Sequence, residues 1–183
     1  MSDLNATAAS LLGFLHDGPK TGWDLLQEID RGFKHFWNVT PSHVYRELKY
    51  LQDRGYVEAG QRQARDRQPY AITPAGRTAF ASWLAQEPGH ETMRIPLLVT
   101  LWFGARLDPA LLRTYIDSHR TANQRRLEYY RSVPQDMLDR DPYFAAVVGF
   151  GIAYEQAVLT WMSRLDTLPG LPPSQGTGPP PQP

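Results

Sequence analysis

Apolar residues recur along this chain at spacings of three and four, interrupted by short stretches rich in Pro, Gly, Thr and Asp. That rhythm predicts amphipathic helices with sharp ends. The first is expected over residues 6–16, with Leu11, Leu12, Phe14 and Leu15 on its apolar face and Asp17-Gly18-Pro19 as its stop. Gly can cap a helix there, and Pro cannot continue one. Thr21 stands three residues before Asp24 in a capping-box-like start, and Trp23, Leu26, Ile29 and Phe33 carry a second helix. Thr40 then offers an N-cap oxygen ahead of Pro41, whose missing N–H costs nothing at the first helical position. The third helix buries Val44, Leu48 and Leu51 and is expected to close at Gly55.

The period changes after Gly55. Tyr56-Val57-Glu58-Ala59 and Pro69-Tyr70-Ala71-Ile72 read as two short strands around the polar segment 61–68, a hairpin with a charged tip. Thr73-Pro74 repeats the capped, proline-led start and opens a fourth helix through Phe80, Trp83 and Leu84 to about residue 87. Pro88-Gly89-His90 marks a domain boundary. Beyond it a short apolar helix is expected over 95–103, followed by a long one from Asp108-Pro109 to about residue 133, roughly 39 Å at 1.5 Å per residue. Leu112, Ile116, His119, Asn123, Leu127 and Tyr130 fall near one seam of it. Asp141-Pro142 opens the last helix, where Phe144, Val147, Gly151, Tyr154, Val158, Trp161, Leu165 and Leu168 alternate spacings of four and three, a seam for another helix. Residues 169–183 are Pro, Gly, Ser, Thr and Gln with one leucine and are expected to be a disordered tail. The fold class is mainly α with a small β part (α+β). The expected organisation is an N-terminal winged helix-turn-helix over 1–88, a C-terminal α-helical domain over 89–168 that is a candidate for dimerisation and effector binding, and a disordered tail over 169–183.

The 183 residues, 42% of them hydrophobic, suffice for one large or two small domains. The absence of cysteine excludes disulfides, thiolate metal ligands and a cysteine nucleophile, and fits a reducing cytoplasm. Met1-Ser2-Asp3-Leu4-Asn5 lacks the basic start of a signal peptide, so a cytoplasmic location is expected. The most apolar stretch, residues 143–154, ends at Glu155-Gln156, short of the ~20 residues of a membrane span, and reads as a buried helix.

Net charge is zero, which is unlike the basic footprint of many nucleic-acid binders. Local charge is the better guide, because phosphate is met by one face of one element. Residues 40–69 hold Arg46, Lys49, Arg54, Arg62, Arg65 and Arg67 against Glu47, Asp53, Glu58 and Asp66, a slight basic excess. A helix-turn-helix sends the second helix of its pair into the major groove, with the N-terminal residues nearest the bases. With Val44, Leu48 and Leu51 turned inward, Ser42, His43, Arg46 and Lys49 face out, with Tyr45 at the margin. These side chains suit base edges and phosphates. Arg65 and Arg67 in the hairpin would lie one groove away, against the minor groove or phosphates. Charge alone favours the plainer reading that Arg46 and Lys49 solvate an exposed helix face; the order of elements and their punctuation tilt the balance towards DNA.

At these residues the chain also resembles a family. Leu11-Leu12-Gly13-Phe14-Leu15, Gly18-Pro19 and Gly22-Trp23-Asp24-Leu25 look like the opening of PadR-type regulators, which usually carry Tyr at the position of Trp23. The likeness continues through Phe36-Trp37, Ser42-His43-Val44-Tyr45-Arg46-Glu47-Leu48, Leu51, Gly55-Tyr56-Val57 and Tyr70-Ala71-Ile72-Thr73-Pro74-Ala75-Gly76. Tyr154-Glu155 and Trp161 resemble the longer C-terminal domain of the phenolic-acid-regulator branch. The resemblance implies a winged helix plus a helical dimerisation domain, and repression relieved by a small molecule. It places the DNA contacts at Ser42, His43, Tyr45, Arg46 and Lys49, and the wing at Arg65 and Arg67. The hairpin here lacks the glycine-rich tip common in relatives.

A last helix apolar at its seam and also at Val148, Ile152, Leu159 and Met162 carries more apolar surface than one neighbour covers. A homodimer is therefore expected, with Leu112, Ile116, Leu127, Tyr154, Val158, Trp161 and Leu165 at its seam and a palindromic double-stranded operator as its target. His119 and Asn123 either line a polar spot in an effector pocket or set register, or they face water as the seam drifts; the commonness of polar seam residues favours the blander readings. Trp102, Phe103, Tyr154 and Trp161 are candidates for an aromatic effector pocket, although core packing is the commoner role for aromatics so spaced. No metal, cofactor or catalytic site is expected. The five histidines lack metal-binding spacing, Gly149-Phe150-Gly151 is a lone GxG within a helix, and no serine sits in a nucleophile elbow. The rival from another class is a winged helix used only for protein–protein contact.

Overall fold

Side-chain oxygens of Asn5, Thr40, Thr73, Asp108 and Asp141 each accept a backbone N–H from the first turn that follows, and four of these residues precede a proline. These caps satisfy donors that a helix start leaves unpaired and set where the helices begin. The computed structural model describes residues 4–32, 36, 37, 39–62, 67–90 and 93–174. It divides into two compact units, Met1–His90 and Glu91–Pro183.

In the first unit α1 (Ala6–Phe14), α2 (Gly22–Gly32), α3 (Pro41–Asp53) and α4 (Pro74–Leu84) surround a small antiparallel sheet of β1 (Lys20–Thr21), β2 (Val57–Ala59) and β3 (Pro69–Ile72). The strand order is β1-β3-β2, with Val57 opposite Ile72, Ala59 opposite Tyr70, and Lys20 opposite Tyr70 on the other edge. Leu11, Leu12, Leu25, Val44, Leu48 and Leu51 are wholly buried and form the centre of the core. Gly55, at φ +69°, ends α3 as expected: its N–H donates to the Gln52 carbonyl at 2.9 Å and the Tyr56 N–H to that of Leu51 at 2.9 Å. The two-residue β1 was not anticipated, because a strand that short leaves no alternation to read. Phe33, read as the end of the second helix, lies outside the described residues.

The second unit holds α5 (Pro96–Trp102), α6 (Pro109–Arg131), α7 (Gln135–Arg140) and α8 (Pro142–Leu165). Leu97, Leu112, Ile116, Met162 and Leu165 form its buried core where α5, α6 and α8 meet. The expectation that Leu112, Ile116, Leu127 and Leu165 face a second subunit is corrected: all four are buried within one chain. A seam of alternating spacing shows that a helix has a partner, and the partner is here the other long helix of the same subunit.

The expectation of a buried last helix is also corrected. Only 17% of the most apolar window of α8 is buried, and Tyr143 and Phe150 are 84% and 60% exposed. By length and composition, at 24 residues and a mean hydropathy of 1.3, α8 is long and apolar enough to cross a membrane, a test also met by apolar helices of soluble proteins. Glu155, which ends the apolar run, is buried in α8, and its carboxylate pairs with Arg126 of α6 at 2.7 Å. The segment from residue 169 departs from disorder at its start. Leu171, its one leucine, packs on the α5–α6–α8 core, Arg113 Nε donates to the Pro172 carbonyl at 2.7 Å, and Ser174 Oγ donates to Asp117 at 3.0 Å. Residues 175–183 lie outside the described residues.

Candidate nucleic-acid interface

α3 exists as a presented helix because its two faces are chemically distinct. Thr40 Oγ1 accepts from the His43 N–H at 3.4 Å and Pro41 occupies the first turn. Val44, Leu48 and Leu51 anchor the inner face. Ser42, His43, Tyr45, Arg46 and Lys49 are all exposed on the other. The two cations are already paired. Arg46 lies 3.3 Å from Glu47 Oε1, and Lys49 lies 3.2 Å from Asp53 Oδ2. Glu47 is buried, and its second oxygen accepts from Asn5 Nδ2 at 3.0 Å, which ties the α3 face to the start of α1.

Tyr45 meets the start of α2 at close range. A Cβ on Gly22 would fall 2.5 Å from the Tyr45 ring, so the ring lies against α2 in this position only with glycine there. Arg67 does not reach out along the hairpin as expected; it stands two residues before β3, its guanidinium 5.1 Å from the centre of the Trp23 ring. Backbone pairing of β1 with β3 brings the two together, with Thr21 opposite Pro69. Arg65 lies outside the described residues. Between Trp23, Tyr45, Arg62, Arg67 and Gln68 runs a cleft of about 420 Å³. Trp23, Arg62 and Gln68 were not among the expected contacts. An aromatic at a helix start is a faint signal, and its meeting with Arg67 depends on the pairing of β1.

The second unit contains a cavity of about 430 Å³ bounded by α5, α6 and α8. His119, Asn123, Arg126, Tyr154 and Trp161 line it. Trp102 and Phe103 do not; Trp102 is 84% exposed and Phe103 packs beneath Arg106. Asn123, for which the drifting seam suggested solvent, is buried. Its Nδ2 donates to the His119 carbonyl and its Oδ1 accepts from Arg126, both at 2.6 Å. Arg126 Nε also donates to Glu155 Oε1 at 2.7 Å, leaving Glu155 Oε2 buried without a partner. Burial, and after it the Glu155 charge, hold the Tyr130 phenol above its ordinary pKa. Among the described residues no group of three or more acidic or histidine side chains is arranged to hold a metal.

Residues 11–82 match the transcriptional regulator PadR-like family, and residues 93–168 match the virulence activator alpha C-terminal domain. Residues 11–82 thus form a PadR-like transcriptional regulator domain, followed by a C-terminal domain of the longer-chain type. A probable transcriptional regulator of Mycobacterium tuberculosis is 24% identical to it over 177 residues, 85% of this chain and 93% of that one. The negative transcriptional regulator PadR of Bacillus subtilis is 26% identical over 98 residues, 51% of this chain and 54% of that one. Among solved structures, a PadR-like regulator of Bacillus cereus superposes with a TM-score of 0.76 at 18% identity, covering 87% of this chain and 94% of that one. Bacillus subtilis PadR in complex with operator DNA superposes at 0.73 and 20% identity, covering 88% and 97%. The PadR-like fold of this chain is thus a winged helix followed by a helical domain, and the family consists of regulators rather than enzymes.

Proposed function

We propose that this PadR-like regulator is a cytoplasmic homodimer that binds a palindromic DNA operator through α3 and represses transcription until a small effector releases it. The observation that carries the reading is the outer face of α3, with Ser42, His43, Tyr45, Arg46 and Lys49 exposed on a capped helix within the family-matched residues 11–82. Arg and Lys suit guanine edges or phosphate, and Ser, His and Tyr suit either base or backbone. A two-fold pair sets two such helices about 34 Å apart, one turn of duplex.

Dimerisation is supported by the apolar surface that α8 leaves open, including Tyr143 and Phe150. Tyr154, Val158 and Trp161, half-buried, adjoin that helix face and remain candidates for the seam. For the effector, the cavity of α5, α6 and α8 combines an apolar wall at Trp161 and Val158 with a polar end at His119, Asn123 and Arg126. Its volume lies within the ~300–1,000 Å³ of small-molecule sites, and the mix suits an aromatic ring bearing polar substituents. Bacillus subtilis PadR has been solved with p-coumaric acid.

Gel-shift on duplex DNA from immediately beside the protein's own gene tests the reading, with the double substitution Arg46→Ala, Lys49→Ala as control. Binding by the wild type that is lost in the double variant is the expected result. The zero net charge favours a second reading, a winged helix devoted to protein contact. DNA affinity that does not fall with rising salt would decide for it, because counterion release accompanies any polyanion contact.

A further inference from the structure

We propose that the cleft between α2, α3 and β3 is a seat for one phosphodiester of the operator backbone, with Arg67 as its ligand and Trp23 as the residue that positions Arg67. The proposal rests on the reading that α3 enters the major groove. An element that flanks a helix in that groove meets the phosphates of its border, and such contacts fix register rather than read sequence. The cleft flanks α3 in this way, since Tyr45 of α3 forms one wall and Trp23 and Arg67 form the other.

Three observations converge on a phosphate. The first is the stack of Arg67 on Trp23, with 5.1 Å between the guanidinium carbon and the ring centre. Stacking uses the face of the guanidinium and leaves its edge of N–H donors for a planar or tetrahedral anion, and it removes rotamer freedom before the anion arrives. The second is the rest of the lining: Arg62 supplies another cation, and Thr21, Tyr45 and Gln68 supply neutral donors. The third is the treatment of the carboxylate at the start of α2. Asp24 accepts from the Thr21 N–H at 2.9 Å and from Thr21 Oγ1 at 2.7 Å, so it is committed to capping its own helix.

Arg67 was expected from sequence to act at the tip of the hairpin, one groove away, against the minor groove or phosphates. Held on Trp23, it acts instead beside the major groove that α3 occupies. Gly22 belongs to the same device, because any side chain there would push the Tyr45 ring out of the wall it makes.

The test measures affinity of the full-length chain for a duplex from beside its own gene, and for an unrelated duplex, over a range of salt. Because the dimer carries two copies, Arg67→Ala should lower the salt slope by about 1.8, the value of two phosphate contacts, and weaken both duplexes by the same factor. Trp23→Ala should weaken binding about five- to thirtyfold, as expected for loss of one exposed cation–π contact in each of two subunits, and Trp23→Phe should restore most of it. In the Arg67→Ala background Trp23→Ala should cost nothing further, which a general structural role of Trp23 would not produce. An unchanged slope in Arg67→Ala, or an undiminished Trp23→Ala loss without Arg67, overturns the proposal while leaving the role of α3 intact. Failure of the wild type to bind either duplex overturns both.

Discussion

Gly149 and Gly151 lie two residues apart in α8 and have opposite surroundings. A Cβ on Gly149 would meet nothing within 4 Å, whereas one on Gly151 would fall 2.5–2.7 Å from three atoms of the Tyr130 ring. Tyr130 is 5% exposed, so its ring cannot swing into water to make room. Ordinary carbon contact needs about 3.5–4.0 Å, so the ring or the helix must retreat by about 1 Å. Overpacking of this kind costs about 1–3 kcal/mol, and the size of the overlap places Gly151→Ala in the upper half of that range. Alanine returns about 1 kcal/mol of helix propensity at either position. Gly151→Ala should therefore lose about 1–2 kcal/mol, and Gly149→Ala should gain up to about 1 kcal/mol. At roughly 2–4 °C per kcal/mol for a chain of this size, the melting temperatures should separate by several degrees in opposite directions. Thermal unfolding followed by circular dichroism at two protein concentrations measures this, and the concentration dependence isolates any change in subunit association. A Gly151→Ala variant as stable as the wild type would refute the close packing of α6 on α8 at Tyr130.

Thr73→Ala removes both the cap to the Gly76 N–H at 3.0 Å and the bond to the Gly55 carbonyl at 2.7 Å, and should cost about 1–2 kcal/mol in urea unfolding. Arg126→Met strands the buried Glu155 carboxylate and should cost about 3 kcal/mol, the low end for a broken buried pair because Arg126 is itself part-exposed; adding Glu155→Leu should recover most of the loss. Arg120, and after it Arg113, hold the Asp166 carboxyl below its ordinary pKa through hydrogen bonds. The stabilisation from Asp166 is therefore complete above the unfolded value of about 3.9 and is lost as pH falls through the lower folded value. Asp166→Asn should flatten the pH dependence of stability below about pH 4, and acid titrations of the two proteins compared at fixed salt would reveal it. Titration with hydroxylated aromatic acids should quench Trp161 fluorescence, and Trp161→Phe should abolish the response; an unchanged signal in that variant would remove the cavity from consideration.

Helix starts were legible because they rest on single residues. Thr40, Thr73, Asp108 and Asp141 act through their own side chains on the next turn, and no distant part of the chain is needed. The outward set on α3 was legible for a similar reason, since helical geometry places Ser42 to Lys49 once Val44, Leu48 and Leu51 face inward. What escaped depends on pairing across the chain. The stack of Arg67 on Trp23 requires β1 to lie beside β3, and nothing in Lys20-Thr21 announces a strand. The apolar seam of α8 was visible as a seam, but periodicity does not say whether the partner belongs to the same subunit. Asn123 shows the opposite error: a polar residue on a seam suggested solvent, whereas its amide is satisfied by the His119 carbonyl and Arg126, which permits its burial.

The pairing of Arg46 with Glu47 and of Lys49 with Asp53 bears on how such a regulator would find its site in a cell. A chromosome offers about 10⁶–10⁹ competing stretches of duplex, and their hold on a protein is set almost entirely by uncompensated positive charge. Here each cation on the reading helix carries its own counter-charge, and phosphate must displace a carboxylate to reach it. Random duplex repays that exchange poorly, and a site that also satisfies Ser42, His43 and Tyr45 repays it well. On the proposed reading, α3 would add little to the hold of random duplex and most of its affinity at the operator, so the operator would be set apart by the contacts of α3 and not by charge alone.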